Sequence, residues 1–545
     1  MAFTDLRDTV FGESTPDGIV FSKWQQRSKT DPLLNDVYMT VDLVFANGKR
    51  FGISTKKLTI FDSQNKSYDY LPMLSDEPNI DSTYTFLSGS ASQRSLTIEM
   101  DARSIDPLSI MKEIGSVSGF AEISLQKEGD LYENRYRIIV GDMVGGISFG
   151  VKEESINVQI SDPKLTFDRI IPNEICSQER LPTAVSSAMG NRYPLIIPDY
   201  PYVPTLLITH FEYGPRFLVA SGSVEVTGVY VSNEDAAGTK FGPTDTVNGS
   251  PGYTVSTEKD ELNSLFTQID FNFSNDSWGS NSSCYAEVST NINIKDFSII
   301  SLIKYLAQNY STLGTSFVDD NLFAIAHSKI NNVTAKLCIN GSGENNTATV
   351  TSYIESTICQ SFPMISMAYT GFGYGPIVTN RKSENIVYSL VRGQNIIMDR
   401  LTSITESSRE NIYNSFTFRY DYNPIEDSYN KSITLNAENS FICAHSKSMF
   451  GERENQVIDS TIVYDDETAE YIVHWLENHV ALPYYTVEYS AIPAAYFNLN
   501  LGDNVYLTDD KLGIVEAVAT VTKLAYTKSF CTVGLKLWFG YTKVS

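Results

Sequence analysis

Two histidines lie close together in the stretch HWLENH, which is where a zinc-binding helix would first be sought. His474 and His479 are five residues apart, which places them about 140° apart around a helix with 3.6 residues per turn. A zinc-protease helix needs a separation of four, so that both imidazoles face one metal ion. The other histidines show no ligand spacing: His210, His327 and His445. We therefore expect packing or solvated histidines and no zinc site.

The segment NLNLGDNVYLTDD, residues 498–510, raises the same question for calcium. An EF-hand loop places oxygen ligands at alternate positions and ends in a glutamate. Val505 and Leu507 occupy the alternate positions here, which favours a strand with one face in a core. The Gly502–Asp503 pair is typical of a tight turn. The segment predicts a turn and a strand, and weak calcium binding at the Asp509–Asp510 tip stays open as a minor alternative.

The remaining motifs indicate turns and helix ends rather than catalytic or ligand-binding sites. GFGYG, residues 371–375, lacks the GxxxxGK[ST] pattern of a phosphate loop and favours a sharp turn or a flexible interface loop. The acidic run 465–467 suits the N-terminus of a helix, where the dipole favours negative charge. No G-x-S-x-G elbow is present, and in so acidic a chain any choice of paired carboxylates is arbitrary. We predict no enzyme, with no catalytic, cofactor-binding or metal-binding residue.

Composition narrows the class of protein further. The chain has 545 residues, too many for one core, and a formal net charge of -24. Such acidity disfavours binding through nucleic acid phosphates but is compatible with a passage through which DNA slides. The six cysteines are far apart with no CxxC pair, which indicates buried free thiols in a reducing compartment. Neither a signal peptide nor a membrane span is expected from the sequence.

These motifs must be positioned by elements that are mostly strands. The first 30 or so residues are polar and predict an irregular arm. Two apolar runs around Asn47–Gly48 predict a hairpin. SLTIEMDA (residues 95–102) and the segments between 121 and 162 predict further strands, with a short helix at 106–115 between them. We interpret residues 1–165 as an N-terminal tube-like β-barrel domain or a sandwich, with one lid helix.

The next region is unlike the first. Seven prolines exclude regular central strands: Pro172, Pro182, Pro194, Pro198, Pro201, Pro204 and Pro215. We predict a Pro-rich extended arm and a β segment over residues 166–260, with a bulge at Gly228. The Gly-, Ser- and Thr-rich stretch 237–256 predicts a loop.

Helices and strands alternate in the rest of the chain. Residues 261–440 predict a middle α+β domain. It contains a helix 295–310 that Asp296 can cap, a second helix over NIIMDRLTSIT (395–405), and a strand over 414–424. Residues 441–545 predict a C-terminal helix plus β-barrel domain, with TAEYIVHWLENHV as the helix and four strands after it. The expected fold is mostly β with a few short helices (α+β), a multi-domain chain of two tube-like β-barrels plus accessory domains.

The order of the C-terminal motifs carries a resemblance. DDETAEYIVHWLENH, TVEYSA, LNLGDNVYLTDD and a hairpin ending in TVGLKLW follow one another. This order resembles the hub proteins of the baseplate or tail tip of tailed bacteriophages. Residues 94–162 resemble the first barrel of that family, and YPLIIPDYPYVPTLLITH resembles a linker in long-tailed phage versions. Gly141–Asp142 echoes Gly502–Asp503, as two related barrels in one chain would.

The resemblance implies a mechanical function. The chain would be a structural component of a virion, present as a homotrimer whose two barrels per chain join a hexameric tail tube to a threefold tip. Its partners would be tail tube and distal tail proteins above and tip or fibre proteins below, with genomic DNA only as passing cargo in the lumen. Assembly would take place in the bacterial host cytoplasm. A receptor-binding or adhesive fibre-type β-protein and, after it, a polysaccharide-degrading tail enzyme remain the alternatives.

Overall fold

The protein is described from a computed structural model. It describes residues 17–45, 48–78, 80–84, 87, 94–101, 103, 119–149, 155–209, 215–233, 236–241, 246–247, 250–271, 283–290, 297–340, 348–380, 386–453 and 456–538. The helix predicted at 106–115 and the proposed cap Asp296 lie outside these residues.

The chain begins, within the described part, with a helix in place of the expected arm. Helix α1 (Asp17–Thr30) buries Val20, Trp24 and Ser28, which are four residues apart and share one face. Apart from Gly18, Ile19 and Phe21, the rest of the helix is polar, so its stability must come from packing against other parts of the chain. The prediction of an irregular arm is therefore wrong for residues 17–30.

The N-terminal barrel follows. Its strands, with β5 set apart, are β1 (Val37–Phe45), β2 (Arg50–Ser54), β3 (Leu58–Phe61), β4 (Ser67–Pro72), β5 (Ile80–Thr83), β6 (Ser95–Asp101), β7 (Gly119–Lys127), β8 (Tyr136–Phe149) and β9 (Ser155–Ser161). They form one sheet in the order β3-β4-β2-β1-β7-β8-β9-β6. Leu74 and Met100 form an antiparallel bridge, so the segment after β4 meets β6 and closes the barrel. The predicted hairpin and strands are confirmed.

A β-sandwich occupies the next part of the chain. Helix α2 (Lys164–Phe167) leads into β10 (Leu195–Ile197), β11 (Asp199–Pro204), β12 (Leu206–Leu207), β13 (Arg216–Ser221), β14 (Glu225–Asn233), β15 (Ala236–Phe241), β16 (Thr246–Val247), β17 (Ser250–Pro251), β18 (Tyr253–Lys259), β19 (Leu265–Phe271) and β20 (Ser283–Ser289). Its two sheets run β11-β20-β14-β15 and β12-β13-β19-β18. The sandwich core lies between them and includes Val203, Val229 and Ile269.

Three sequence predictions concern the residues of this sandwich. The proline-containing strand β11 lies at a sheet edge, as expected because proline cannot donate to a ladder. The register shifts between Val226 and Gly228, which confirms the bulge. The loop predicted at 237–256 is wrong, since β15 to β18 lie there and pair with their neighbours. Threonine and valine within that stretch favour strands once a partner strand is available.

A helical layer separates the sandwich from the C-terminal barrel. Its elements are α3 (Ile299–Tyr310), α4 (Asp320–Lys329), β21 (Leu337–Ile339), α5 (Val350–Tyr353, continued by the π-helical turn Ile354–Ile358 and Cys359–Ser361), β22 (Ile365–Tyr369) and β23 (Tyr374–Val378). The cap of α3 is Ser298, whose hydroxyl accepts from the backbone of Ser301. The predicted apolar stripe of α3 is buried.

The last part of the chain forms a small sheet, two helices and a second barrel. The elements are β24 (Ile386–Val391), β25 (Ile396–Glu406), β26 (Phe416–Asn423), β27 (Ser428–Leu435), α6 (Phe441–Phe450), β28 (Gln456–Asp459), α7 (Asp466–Val480), β29 (Tyr484–Ala491), β30 (Asn504–Asp509), β31 (Ile514–Tyr526) and β32 (Cys531–Trp538). The barrel sheet runs β24-β30-β31-β32-β29-β25, and β5 pairs with β31. Its two end strands join through the turn at Arg392–Ile396.

Two predictions in this region need correction. NIIMDRLTSIT forms β25 and not a helix, because its β-branched residues pair with β29 from Ile396 to Glu406. The echo of Gly141–Asp142 in Gly502–Asp503 is not structural. Gly141 lies inside β8 and pairs with Ala121, whereas Gly502 has a φ of 80° in the turn before β30. Helix α7, the four last strands and the mostly β, multi-domain fold are confirmed.

Candidate functional site: the junction between the two barrels

Helix α1 lies across the two barrels through its tryptophan. The indole of Trp24 is 1% exposed and its Nε1 donates to the carbonyl oxygen of Asn134 at 2.8 Å, next to the N-terminal barrel strand β8. On its other side the ring stacks on Phe497 at 5.0 Å between centroids. Phe497 ends the 3-10 turn Pro493–Phe497 of the C-terminal barrel. One side chain thus contacts both barrels.

Three more aromatic rings surround this contact. Tyr136 of β8 packs edge-on against Phe497 at 4.8 Å, against Phe372 at 5.3 Å and against Tyr496 at 6.2 Å. We call Trp24, Tyr136, Phe372, Tyr496 and Phe497 the aromatic cluster. Edge-to-face pairs of this kind contribute about 0.5–1.5 kcal/mol each beyond the area they bury. The cluster therefore joins α1, both barrels and the β22–β23 hairpin into one packed unit.

The GFGYG motif supplies the hairpin's side of the junction. It forms the turn between β22 and β23, so the predicted sharp turn is confirmed. A Cβ on Gly371 would lie 2.1 Å from the carbonyl oxygen of Arg137 in β8, and Gly373 has a φ of 141°. Only glycine allows the hairpin backbone to approach the N-terminal barrel so closely.

A small cavity remains where the parts meet. Its volume is about 90 Å³, and it is lined from the N-terminal barrel by Tyr136, from the helical layer by Asp319 and Phe372, and from the C-terminal barrel by Tyr496 and Leu501. That space can hold a few water molecules but is far below the roughly 300 Å³ at which small-molecule pockets begin. Burial raises the pKa of Asp319, whose carboxylate accepts from Thr370 and from the first turn of α4. Asp319 thus acts as a helix cap.

A buried ion pair forms a second link between the helical layer and the C-terminal barrel. It lies at the turn that was predicted within residues 498–510. Lys329, at the end of α4, is 6% exposed, and its Nζ lies 3.8 Å from Asp503 Oδ1, with Asp503 4% exposed. The same Nζ donates to the carbonyl oxygens of Gly502 at 3.0 Å and Val378 at 3.2 Å. Burial lowers the pKa of Lys329 and raises that of Asp503. The turn is therefore a docking point for α4 and offers no free carboxylate.

The other end of the 498–510 segment is also occupied by protein groups. Asp509 receives Arg392 Nη1 at 3.0 Å and the hydroxyl of Tyr489 at 2.8 Å. Burial would raise its pKa, but the hydrogen bond from Tyr489 and the guanidinium of Arg392 hold the pKa of Asp509 below its usual value. Val505 and Leu507 are fully buried, as predicted. The segment is a turn and a strand, and its carboxylates serve the fold.

The two histidines of HWLENH point to different environments. His479 is 3% exposed, stacks on Trp475 at 4.2 Å, and its Nδ1 bonds to the carbonyl oxygen of Trp475 at 2.7 Å. The His474 side chain is 61% exposed and pairs with Glu477. Asp465 caps α7 by accepting from Thr468, as the acidic run predicted. Among the described residues, no group of three or more His, Cys, Asp or Glu side chains could hold a metal ion.

Sequence reasoning missed the residues that build the junction. Trp24 and Lys329 lie in stretches that showed no functional pattern, and only the contacts of the fold identify them. A signal existed for Gly371, whose motif was recognised as a turn but without its partner strand. All six cysteines are free, and five are buried, in agreement with the prediction of buried thiols. Within the described chain, every helix is too short or too polar to cross a membrane.

Comparisons with known proteins bear on the whole architecture. No protein-family model and no curated protein matches the sequence. Among solved structures, the 43 kDa tail protein of prophage MuSo2 from Shewanella oneidensis is 10% identical, with 92% of this chain and 98% of that chain covered and a TM-score of 0.37. The tail protein from Neisseria meningitidis MC58 is 9% identical, with 92% and 97% covered and a TM-score of 0.39. The chain is similar to phage tail proteins. A chain from the virion of the native gene transfer agent is 8% identical, with 68% and 87% covered and a TM-score of 0.37.

Proposed function

We propose that this chain is a non-enzymatic structural component of a phage virion tail, the homotrimeric hub of its baseplate or tail tip. The aromatic cluster carries this proposal, because it sets one barrel against the other within a single chain. Three chains with two barrels each would supply six barrels to a ring. A ring of six evenly spaced barrels requires a fixed distance and angle between the two barrels of each chain.

Strand β5 supports the same conclusion. It leaves the N-terminal barrel after β4 and pairs with β31 of the C-terminal barrel from Ile80 to Thr83. Tyr84, which follows, donates its backbone N–H to Thr522 at 2.8 Å. The two barrels are thus joined by main-chain hydrogen bonds as well as by side chains. A connection of this kind resists hinge motion between them.

The outer surface of the C-terminal barrel offers contacts for a second copy. Val387 on β24, Ile404 on β25 and Val515 on β31 are 54%, 49% and 65% exposed. Two of these strands, β24 and β25, are the end strands of the barrel sheet. An exposed sheet edge can pair with a strand of another chain, and apolar side chains beside it would be buried in that contact. These residues support assembly through the C-terminal barrel.

The chain's charge suits a ring that surrounds DNA. A formal charge of -24 per chain would be tripled in a trimer and would repel DNA phosphates from the lumen wall. In this function the tail tube and distal tail proteins bind above the ring and tip or fibre proteins bind below it. Genomic DNA passes through as cargo, and the protein resides in the virion after assembly in the host cytoplasm.

Stoichiometry tests the proposal directly. Native mass spectrometry of the purified full chain, and imaging of particles that carry it, should give three copies per ring and six barrel densities around the lumen. A monomer at micromolar concentration together with six or one copies per particle would reject the trimeric hub. Measurable hydrolysis of envelope polysaccharide by the pure chain would reject the non-enzymatic function.

A further inference from the structure

The outer face of one sandwich sheet is divided into a covered half and an open half. Phe266, Gln268 and Asp270 alternate along β19 and share that face, while Ile269 points into the sandwich core. Phe266 and Leu218 pack beneath the Pro-rich segment in a small apolar cluster. Gln268 and Asp270, together with Phe266, line a groove beside that segment. The groove is therefore part of the sandwich and lies away from the junction.

The groove is large and its walls are fixed. Its volume is about 340 Å³, with Leu181, Thr183 and Ala184 on one side and Glu258 and Lys259 on the other. This volume falls within the roughly 300–1,000 Å³ of small-molecule sites. It is nearly four times that of the junction cavity at about 90 Å³.

A buried aspartate holds the two walls together. Asp260 is 5% exposed and accepts from Arg180 Nη1 at 2.7 Å and from the hydroxyl of Tyr193 at 3.2 Å. Its other oxygen accepts from the backbone of Leu262 and Ser264 in the β18–β19 turn. The Pro-rich wall is thus tied to the strand wall before any ligand arrives, which lowers the entropic cost of binding.

The floor of the groove contains a polar group that the protein itself does not use. Gln268 is 4% exposed, and within the described part of the chain its side-chain amide has no hydrogen-bond partner. An amide has two donor hydrogens and an acceptor oxygen, and in Gln268 these atoms are open to the water that fills the groove. A ligand with hydroxyl groups can satisfy the donors and the acceptor at once.

The charges around the floor balance. Arg216 and Asp270 lie opposite each other on paired strands, and Arg216 Nη2 donates to Asp270 Oδ2 at 3.2 Å. Lys259 and Glu258 add one charge of each sign. A site with two positive and two negative side chains has no net preference for an ionic ligand, although the whole chain is strongly acidic. Thr183 and Thr209 add hydroxyl groups to the lining.

We propose that this groove binds a neutral saccharide, with the Gln268 amide hydrogen-bonded to ring hydroxyls. The saccharide fits the observations better than a peptide because the lining combines hydroxyl, amide and balanced charged groups, and the apolar Ile208 and Phe266 that also line it are only 6% and 3% exposed. This binding goes beyond the hub function and does not depend on the oligomeric state.

An array of neutral and acidic oligosaccharides, probed with the full-length chain, tests the proposal. We expect binding to neutral glycans. With the best of these in saturation-transfer NMR and titration, Gln268→Met should weaken binding by at least about tenfold. Thr183→Trp should abolish it by filling the groove. Thr227→Trp, at an exposed position on β14 in the opposite sheet, is the matched control and should bind as the unchanged chain does.

Three results would overturn the proposal. The first is failure of every neutral glycan to bind at millimolar concentration. The second is binding restricted to acidic glycans or to an arrayed peptide. The third is neutral-glycan binding that survives both Gln268→Met and Thr183→Trp in variants whose thermal unfolding matches that of the unchanged chain.

Discussion

Trp24 stacks on Phe497 at 5.0 Å between ring centroids, with 26° between the ring planes, although the two residues come from opposite ends of the chain. The guanidinium of Arg27 lies over the same indole, with its Cζ 4.5 Å from the ring centroid. The N-terminal helix therefore binds where the C-terminal barrel meets the N-terminal one. We expect the relative position of the two barrels to depend on this contact.

Replacing Trp24 tests that dependence. Trp24→Ala should lower the free energy of unfolding by about 3–5 kcal/mol, because it removes a fully buried ring and leaves a cavity. Urea denaturation followed by circular dichroism measures the loss. Leu33→Ala, a short distance along the chain and 63% exposed, should change the stability by less than about 0.5 kcal/mol. Equal effects of the two substitutions would contradict the importance of the stacked pair.

How much of this molecule is predictable from its sequence depends on whether the signal is local. Val533, Leu535 and Leu537 alternate within β32, and the apolar stripe and cap of α7 recur at helical spacing, so both elements were predicted correctly. β25 was mistaken for a helix because its apolar residues fit either period, and β29, its partner, lies about 80 residues later.

The long-range contacts of the junction cannot be predicted from local sequence patterns. Nothing in the neighbourhood of Lys329 distinguishes it from a solvated lysine at a helix end, and only the turn at Asp503 makes it a buried one. Trp24 lies in a polar stretch whose helix is stabilised by the barrels it touches. The Gly502–Asp503 turn was predicted, but the partner that it holds was not.

The Lys329–Asp503 pair should behave as a coupled buried pair. Lys329→Met alone should cost about 3–5 kcal/mol, because it leaves the Asp503 carboxylate buried without its cation. The double variant with Asp503→Asn should lose less than the sum of the single losses. Urea denaturation of all four proteins gives the coupling energy.

A surface pair provides the comparison for that cycle. Lys56 and Glu128 lie 3.0 Å apart with side chains 47% and 49% exposed. The same cycle on this pair should give a much smaller coupling, because solvent screens exposed charges. If the coupling between Lys329 and Asp503 were no larger, the docking of α4 on the turn would not depend on charge.

Stability should fall in acid through Glu122, a buried carboxylate of the N-terminal barrel. It receives Arg135 Nη2 at 3.0 Å and lies 3.6 Å from Arg137 Nε. Burial would raise its pKa, but the two guanidinium groups hold the pKa of Glu122 below its ordinary value of 4.5. A carboxylate with a depressed folded-state pKa stabilises the fold above the unfolded-state pKa. That stabilisation is lost as the pH falls through the folded-state value.

Glu122→Gln isolates this contribution. At about pH 7 the variant should be less stable by about 3 kcal/mol, because it leaves two buried guanidinium groups without their carboxylate. The difference should shrink as the pH falls through the folded-state pKa of Glu122, where the unchanged chain also loses the charge. Urea midpoints over a series of pH values from 7 downward measure it, and a difference that widens in acid would refute the assignment.

Metal removal should leave the protein unchanged. The His479 ring is held against Trp475 while His474 faces solvent, and Asp509 is bonded to Arg392 and Tyr489. A bound ion would add stability in proportion to its affinity. The melting temperature should therefore be the same with EDTA, with zinc and with calcium. A shift with calcium that Asp509→Asn abolishes would establish the tip as an ion site after all.

Assembly through the C-terminal barrel is tested by placing charge on its outer surface. Val515 is 65% exposed on β31 and Val387 is 54% exposed on β24. Val515→Asp and Val387→Asp should each leave the fold intact, because neither side chain is in the core. Each should shift the proposed trimer toward monomer, since a carboxylate would have to be desolvated at the contact. Val255→Asp, 41% exposed on the sandwich strand β18, is the matched control and should remain trimeric. Analytical ultracentrifugation over a range of concentrations distinguishes the three variants. If Val255→Asp alone dissociates the trimer, the copies meet through the sandwich and the barrels do not form the ring contact.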